Sequence, residues 1–307
     1  MGINLQLLGM QSIPHLAKKL GVGTSFPEHA LSVPLSQSEF KRFFDECGSI
    51  LDSFFTQFGA SWWDVYANSD IGLERMAVAK EMQLDGRDVV LDVGCGRGYF
   101  SIAAAESSRV VASVDLMNGA ERPGWWRNFN VCMDELNLRD KVSGVKSDAQ
   151  HLPFKSSSFT VVAAVHSIRN FPSYHSMEVA LREMKRVAAE GGRVIIAESL
   201  PVALTKAQLS HLKMFECKAK YTPGELKYLP EEKVAEMFHK TEFKTIKIRR
   251  LDYNWSATPP LFCIDNYLPS LSKTERKKAE EEYNEAVAMI RKWGEASPPA
   301  LLAEGTK

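Results

Sequence analysis

The 307-residue chain has no surplus of either charge: 38 Lys and Arg stand against 38 Asp and Glu, a formal net charge of zero. Nucleic-acid binding draws on a basic excess that neutralises phosphates, so a nucleic-acid partner is not expected unless basic residues gather locally. Cysteine is scarce and scattered. Cys47, Cys95, Cys132, Cys217 and Cys263 form no Cys-x-x-Cys pair. That excludes a disulfide framework, predicts no metal site and fits reduced thiols in a cytoplasmic protein. No run of about 18 apolar residues occurs, so no membrane span is expected. No basic-then-apolar opening marks a secretion signal, and Gln6 stands where a myristoylation signal wants Ser or Thr. Internal repeats and long low-complexity tracts are also missing. What remains is an ordinary globular balance, 45% apolar and 25% charged, which excludes collagen-like, mucin-like and broadly disordered chains.

The pattern of apolar residues divides the chain in three. Residues 1–69 read as a helical N-terminal extension or cap. Within it, 1–35 is a mixed leader with Pro14, Pro27 and Pro34. Ser36 and Glu39 then have capping-box spacing ahead of a stripe running from Phe40 through Phe43, Cys47, Leu51 and Phe54 to Phe58. Residues 70–270 alternate short apolar runs with helical periodicity. Strands are expected at 89–93, 110–115, 141–146, 159–165 and 193–198, with helices near 71–84, 98–107, 127–138 and 174–189. Such alternation means βαβ units and a parallel sheet with helices on both faces. From about 200 the alternation breaks into a lid-like insertion, 200–240, in which Thr205 and Gln208 open a helix. Strand-like runs follow at 243–251 and 261–267. In residues 271–307, Ser272 and Glu275 open a last helix whose apolar face includes Ala279, Tyr283, Ala286 and Ile290. The segment after Gly294, with Pro298-Pro299, reads as a loose tail.

The most informative stretch is Leu91-Asp92-Val93-Gly94-Cys95-Gly96-Arg97-Gly98-Tyr99: a strand, a glycine turn and a helix start. Glycines there permit positive φ and close approach of a ligand to the backbone. Tyr99 stands where the dinucleotide fingerprint needs a small residue, and no lysine follows, so neither a dinucleotide turn nor a P-loop fits. Asp92, just before the turn, suits a cationic ligand better than a pyrophosphate. Asp115 ends the second strand 21 residues beyond Gly94, where a carboxylate can accept from both ribose hydroxyls. Asp148, in Ser147-Asp148-Ala149-Gln150-His151-Leu152-Pro153-Phe154, could accept from an adenine amino group.

These motifs in this order, with the Gly191-Gly192 turn before strand five, resemble the class I S-adenosylmethionine-dependent methyltransferases. Ala180-Leu181-Arg182-Glu183-Met184-Lys185-Arg186-Val187 is similar to their quinone, sterol and small-molecule branch. The resemblance covers about 70–200. It implies an α/β fold with a doubly wound, mostly parallel seven-stranded Rossmann-like sheet, S-adenosyl-L-methionine as cofactor, and methylation of a small apolar or aromatic acceptor. It further implies that Gly94, Cys95, Gly96 and Gly98 wrap the methionine part while Asp92 orients its amino end. Asp115 and Leu116 would hold the ribose side, Asp148 and Ala149 the adenine, and Val165 and His166 the surroundings of the sulfonium.

The acceptor side is less legible. His166 is a candidate base, since imidazole titrates near neutrality, or else a wall residue. Arg169 either binds a carboxylate or phosphate on the acceptor or pairs with Glu178 or Glu183. His211 has no partner legible in the sequence. The pairs Trp62/Trp63 and Trp125/Trp126 are candidate aromatic walls or ordinary packing. Methyltransferases that act on base amines carry an Asn-Pro-Pro-Tyr run, and it is absent here. An RNA or protein methyltransferase, an arsenite enzyme using thiolates among Cys47, Cys132, Cys217 and Cys263, and a cofactor-binding protein without turnover remain as rivals. A homodimer is left open. Segments 36–69 and 200–240 are expected to fold over the sheet's carboxyl edge, with Phe54, Phe55, Trp62, Met214 and Phe215 lining an acceptor chamber.

Overall fold

A computed structural model describes residues 3–23, 37–117, 124–221, 228–253 and 271–307. Seven strands form one sheet: β1 (Val89–Val93), β2 (Val110–Asp115), β3 (Val142–Lys146), β4 (Phe159–Val165), β5 (Ala188–Ser199), β6 (Thr245–Leu251) and β7 (Ala300–Thr306). Their order is β3-β2-β1-β4-β5-β7-β6. β1 to β5 pair in parallel, and β7 runs antiparallel to both its neighbours. The order reverses between β1 and β4, and ligands bind outside the carboxyl ends of the strands at such a switch point.

The two-residue strand period sorts the core into two layers. Val90, Val111, Val161, Ala163 and Ile195 face one side, while Leu91, Val93, Val162, Ala164 and Ile196 face the other. The second layer is covered by α7 (Tyr174–Val187) and α9 (Glu231–Lys240). The first is covered by α5 (Tyr99–Ser107), α4 (Asp70–Glu81), α6 (Trp125–Glu135) and the N-terminal extension. The central parallel strands β1, β4 and β5 therefore carry apolar residues on both faces, as strands covered on both sides require.

Two sequence expectations fail. Residues 3–20 are not a leader but a helix, α1 (Ile3–Leu20), with Pro14 inside it. Leu5, Leu8, Met10, Ile13 and Leu16 are almost fully buried, so tertiary packing rather than intrinsic propensity holds this helix. Gly9 permits its contact with α2 (Gln37–Phe58), since a Cβ there would lie 2.2 Å from Leu51 Cδ1. The tail also fails: residues 300–306 form β7, inserted between β5 and β6, with Leu301, Leu302 and Ala303 buried. β5 begins earlier than expected, at Ala188, and a register shift opposite Phe159–Val161 absorbs Gly191 and Gly192. The capping pair at Ser36 and the run 261–267 lie outside the described residues. Among the described residues no helix is long and apolar enough to cross a membrane.

Helix α8 (Lys206–Tyr221) opens as its sequence suggests. Gln208 Oε1 accepts from the Leu204 and Thr205 amides at 2.7 and 3.1 Å. α8 packs on α10 (Lys273–Trp293) through Met214, Cys217, Ala279, Ala286 and Ile290. The Ser272–Glu275 capping box of α10 is formed, and Gly294 ends it at a φ of 75°.

Candidate active site

A cavity of about 330 Å³ opens at the switch point. Its floor is the glycine turn after β1. Gly94, Gly96 and Gly98 have φ of 74°, 54° and 86°, the left-handed region that glycine enters without a Cβ penalty. The Gly94 and Cys95 amides both donate to the Val114 carbonyl, at 2.7 and 3.1 Å, tying the turn to β2. A Cβ on Gly94 would sit 2.5 Å from Ser167 Cβ, so the β1 and β4 ends approach as closely as glycine permits. Asp115 locks the arrangement: its carboxylate accepts from the Gly96 amide and the Met117 amide, each at 2.9 Å. Each of its oxygens keeps a lone pair.

Of the sequence-named residues, Asp92, Gly94, Cys95, Gly96, Asp115, Leu116, Asp148, Ala149, Val165 and His166 line this cavity. Gly98 and Arg169 do not. Gly98 instead lets α5 pass α6, since a Cβ there would lie 2.8 Å from the Phe129 ring. Asp148 Oδ1 accepts from the Gln150 amide at 2.8 Å, which shapes the loop after β3. Among the described residues the aromatic lining is Tyr99, Phe100 and Phe171, and Trp62, Trp63 and Trp126 are not part of it. Trp62 packs edge-on against Phe55 at 4.9 Å, and Trp126 stacks on Phe129 at 5.8 Å. Trp125's side chain lies outside the described residues.

Sequence reading missed Glu74, Arg75 and Glu198. Arg75, from α4, lines the cavity and forms an ion pair with Glu74. Burial pulls its guanidinium down to about 10, with Tyr66 opposing and Arg169 adding, so it remains a cation at neutral pH. His166 has a positive φ of 49° and is flanked by carboxylates. Its Nε2 is 2.7 Å from Glu74 Oε1, and its Nδ1 is 3.4 Å from Ser199 Oγ and 3.8 Å from Glu198 Oε2. Burial holds its pKa well below the ordinary histidine range, helped by Arg75 and Arg169 and opposed by Glu198. A neutral ring donating from Nε2 to Glu74 satisfies this geometry and leaves Nδ1 as the nitrogen that can take a proton.

Arg169 pairs with neither Glu178 nor Glu183, which bind Lys240 and Arg186 at 2.9 and 2.7 Å. Its Nε lies 3.6 Å from Glu198 Oε2 instead, and its Nε and Nη1 have no hydrogen-bond partner among the described residues. No sequence period signals these contacts, because a charged residue in a helix or at a strand end ordinarily faces water.

The lid expectation divides. Gly96 is buried and the His166 side chain is 11% exposed, so neither lies open to bulk solvent. Yet Phe54, Phe55 and Trp62 pack in the N-terminal layer and Met214 packs against α10. The first segment covers the sheet's flank. It is α4 that reaches the mouth, and from α8 Phe215 approaches Arg169, its ring centre 5.9 Å from the guanidinium. The described thiols are likewise dispersed. Cys47 and Cys132 lie in the N-terminal layer and Cys217 beside α10, and burial pushes Cys47 up to about 12 and Cys217 to about 11. Cys263 lies outside the described residues.

The residues fit S-adenosylmethionine. A buried carboxylate, Asp92, and a buried cation, Arg75, border one cavity, matching the ammonium and carboxylate of an amino acid. Asp92 is 1% exposed, and its Oδ2 accepts from Ser101 Oγ at 2.5 Å. Burial pushes it up to about 7, with Asp115 adding and Ser101 and Arg75 opposing. A bound cation would favour its ionised form.

Residues 91–196 match a methyltransferase domain family. A demethylmenaquinone methyltransferase of Staphylococcus aureus is 32% identical over 125 residues, 41% of this chain and 48% of that protein. The chain thus spans about half the length of the curated relatives it matches. A cyclopropane-fatty-acyl-phospholipid synthase-like protein from Lactobacillus casei has a TM-score of 0.57 at 18% identity, covering 80% of this chain and 93% of that one. A Bacillus halodurans protein assigned as a methyltransferase gives 0.50 at 17% identity, covering 76% and 98%. At these identities the two structures show the fold alone. The family match falls on the stretch that builds the glycine turn, Asp115 and the β4 end, so residues 91–196 are a methyltransferase domain, of the S-adenosylmethionine-dependent kind that the site's residues fit.

Proposed function

We propose that the protein transfers the methyl group of S-adenosylmethionine to a small apolar or aromatic acceptor, of the demethylated quinone kind for which its S. aureus relative is named. The burial of the glycine turn and of the β4 end supports this reading. With Gly96 buried and His166 11% exposed, a methyl donor on the glycine turn would be shielded from a macromolecular surface and accessible to a small molecule.

The cofactor supplies, when bound, a methyl already made electrophilic by its sulfonium. The chain's own work is to bind, orient and exclude water. Asp92 and Arg75 would hold the amino-acid end, Asp115 with Leu116 the ribose side, and Asp148 with Ala149 the adenine. Phe171 and Pro172, beyond β4, supply an apolar wall. Arg169, with two buried N–H-bearing nitrogens lacking hydrogen-bond partners among the described residues, would take an oxygen of the acceptor, since an unmet buried donor is costly. His166 would accept a proton at Nδ1, and Glu74 and Glu198 would stabilise the resulting imidazolium.

A mass-shift assay tests the proposal. Protein and methyl-labelled S-adenosylmethionine are incubated separately with short-chain demethylmenaquinol, arsenite plus thiol, and total cell RNA and protein. Label on the quinol is the expected result. Label only in another fraction would reassign the acceptor, and tight cofactor binding with no product in any fraction would identify a non-catalytic binder.

A further inference from the structure

Three separated parts of the chain meet behind Arg169. His211 on α8 places Nδ1 2.7 Å from Glu295 Oε1 and Nε2 3.0 Å from the Tyr228 hydroxyl. Glu295 is fully buried just past α10, and its second oxygen has no partner among the described residues. Tyr228 precedes α9. Its ring lies 4.2 Å from Phe215, and the Arg169 guanidinium stands 5.5 Å from the Tyr228 centroid and 5.9 Å from that of Phe215. The apolar contacts of α8 with α10 already join these elements. A buried carboxylate–imidazole–phenol series adds desolvation cost without being needed for that packing.

We infer that His211 and Glu295 are positioning residues that act through Tyr228 to set Arg169 for the acceptor. This rests on the proposed role of Arg169. Glu295 fixes the ring of His211 with Nδ1–H donating to the carboxylate, so Nε2 is left to accept from the Tyr228 hydroxyl. A phenol donating to that nitrogen is held in one orientation and carries a more electron-rich ring, which strengthens its attraction for a guanidinium lying against it. Tyr228 and Phe215 therefore cover Arg169. Glu198 holds its Nε side at 3.6 Å, and Nη1 has no partner among the described residues. The next residues, Asn170 and Phe171, line the cavity, and Asn170 Oδ1 is itself buried without a partner among the described residues. The geometry thus presents an organised donor and acceptor one residue from the methyl-donor cavity, suited to an acceptor bearing an oxygen.

Hydrogen exchange of the Arg169 Nε–H, read by 15N NMR on the full-length protein and assigned with Arg169→Lys, tests this without requiring turnover. Loss of an orienting hydrogen bond should speed exchange roughly 10-fold in Tyr228→Phe and His211→Ala. Glu295→Ala should behave alike, and Glu295→Gln, which keeps an acceptor for Nδ1–H, should return toward wild type. With demethylmenaquinol as acceptor, the same variants should raise its KM and leave that of S-adenosylmethionine unchanged. Unaltered Arg169 exchange in Tyr228→Phe, which retains the ring and the fold, would overturn the inference. Should wild type fail to methylate the quinol, the proposed function falls while the Arg169 exchange still decides this one.

Discussion

His166 Nε2 lies 2.7 Å from Glu74 Oε1, joining the end of β4 to α4 across 92 residues of chain. The contact ties α4 to the β4 end that lines the cavity and places a largely buried imidazole between two carboxylates, Glu74 and Glu198. It also has a thermodynamic consequence. Burial depresses the His166 pKa in the folded protein, whereas the unfolded chain protonates near ~6.5. The unfolded state therefore binds the extra proton first, and stability is present above about pH 6.5 and lost as pH falls below it. Urea unfolding at pH 7.5 and 5.5 should show this drop, and His166→Gln should lessen it. An equal drop in the variant would assign the acid sensitivity elsewhere.

Asp92 has the opposite sign. Its folded carboxyl is pushed up to about 7, so between its ordinary value near ~3.9 and 7 the folded state holds the extra proton and stability declines as pH rises. Asp92→Asn removes that cost. At pH 8 the ligand-free variant should be more stable than wild type by roughly 2–4 kcal/mol, yet bind S-adenosylmethionine more weakly. Paired denaturation and titration calorimetry check both. A variant that is less stable at pH 8 would contradict the burial explanation.

Asp115→Ala should weaken S-adenosylmethionine binding by roughly 1.5–3 kcal/mol, the range for losing a charged acceptor. Asp115 also accepts from the Gly96 and Met117 amides, so the melting temperature of the free protein should fall as well. Unchanged affinity by calorimetry would remove Asp115 from the ribose.

Gly94→Ala combines a left-handed backbone, φ 74°, with a Cβ 2.5 Å from Ser167 Cβ. The strain alone costs about 1–3 kcal/mol, and relieving the overlap must part β1 from β4. Cofactor binding should be lost and the melting point lowered. A variant that binds normally would show that the close approach is not needed.

Deleting residues 300–307 removes the strand that pairs with both β5 and β6. The truncated chain should lose cooperative unfolding, because two ladders and the buried Leu301, Leu302 and Ala303 go together. A cooperative melt within about 5 °C of wild type, the equivalent of roughly 1–2 kcal/mol, would make β7 dispensable.

Local pattern by itself determined the parallel core and half of the site. The runs 89–93, 110–115 and 159–165 are mostly apolar, and the positions of Gly94, Asp115 and Asp148 at strand ends follow from chain order, so that part of the cavity lining was legible. Only the tertiary structure decided the rest. Residues 3–20 contain Pro14 and residues 300–306 follow Pro298-Pro299, and both are held by burial against partners remote in sequence. Glu74, Arg75, Glu198 and the Glu295–His211–Tyr228 series look like solvated charges along the chain. They become a site because the packing of α4, α8 and the segment after α10 removes them from water, where charged groups must find one another.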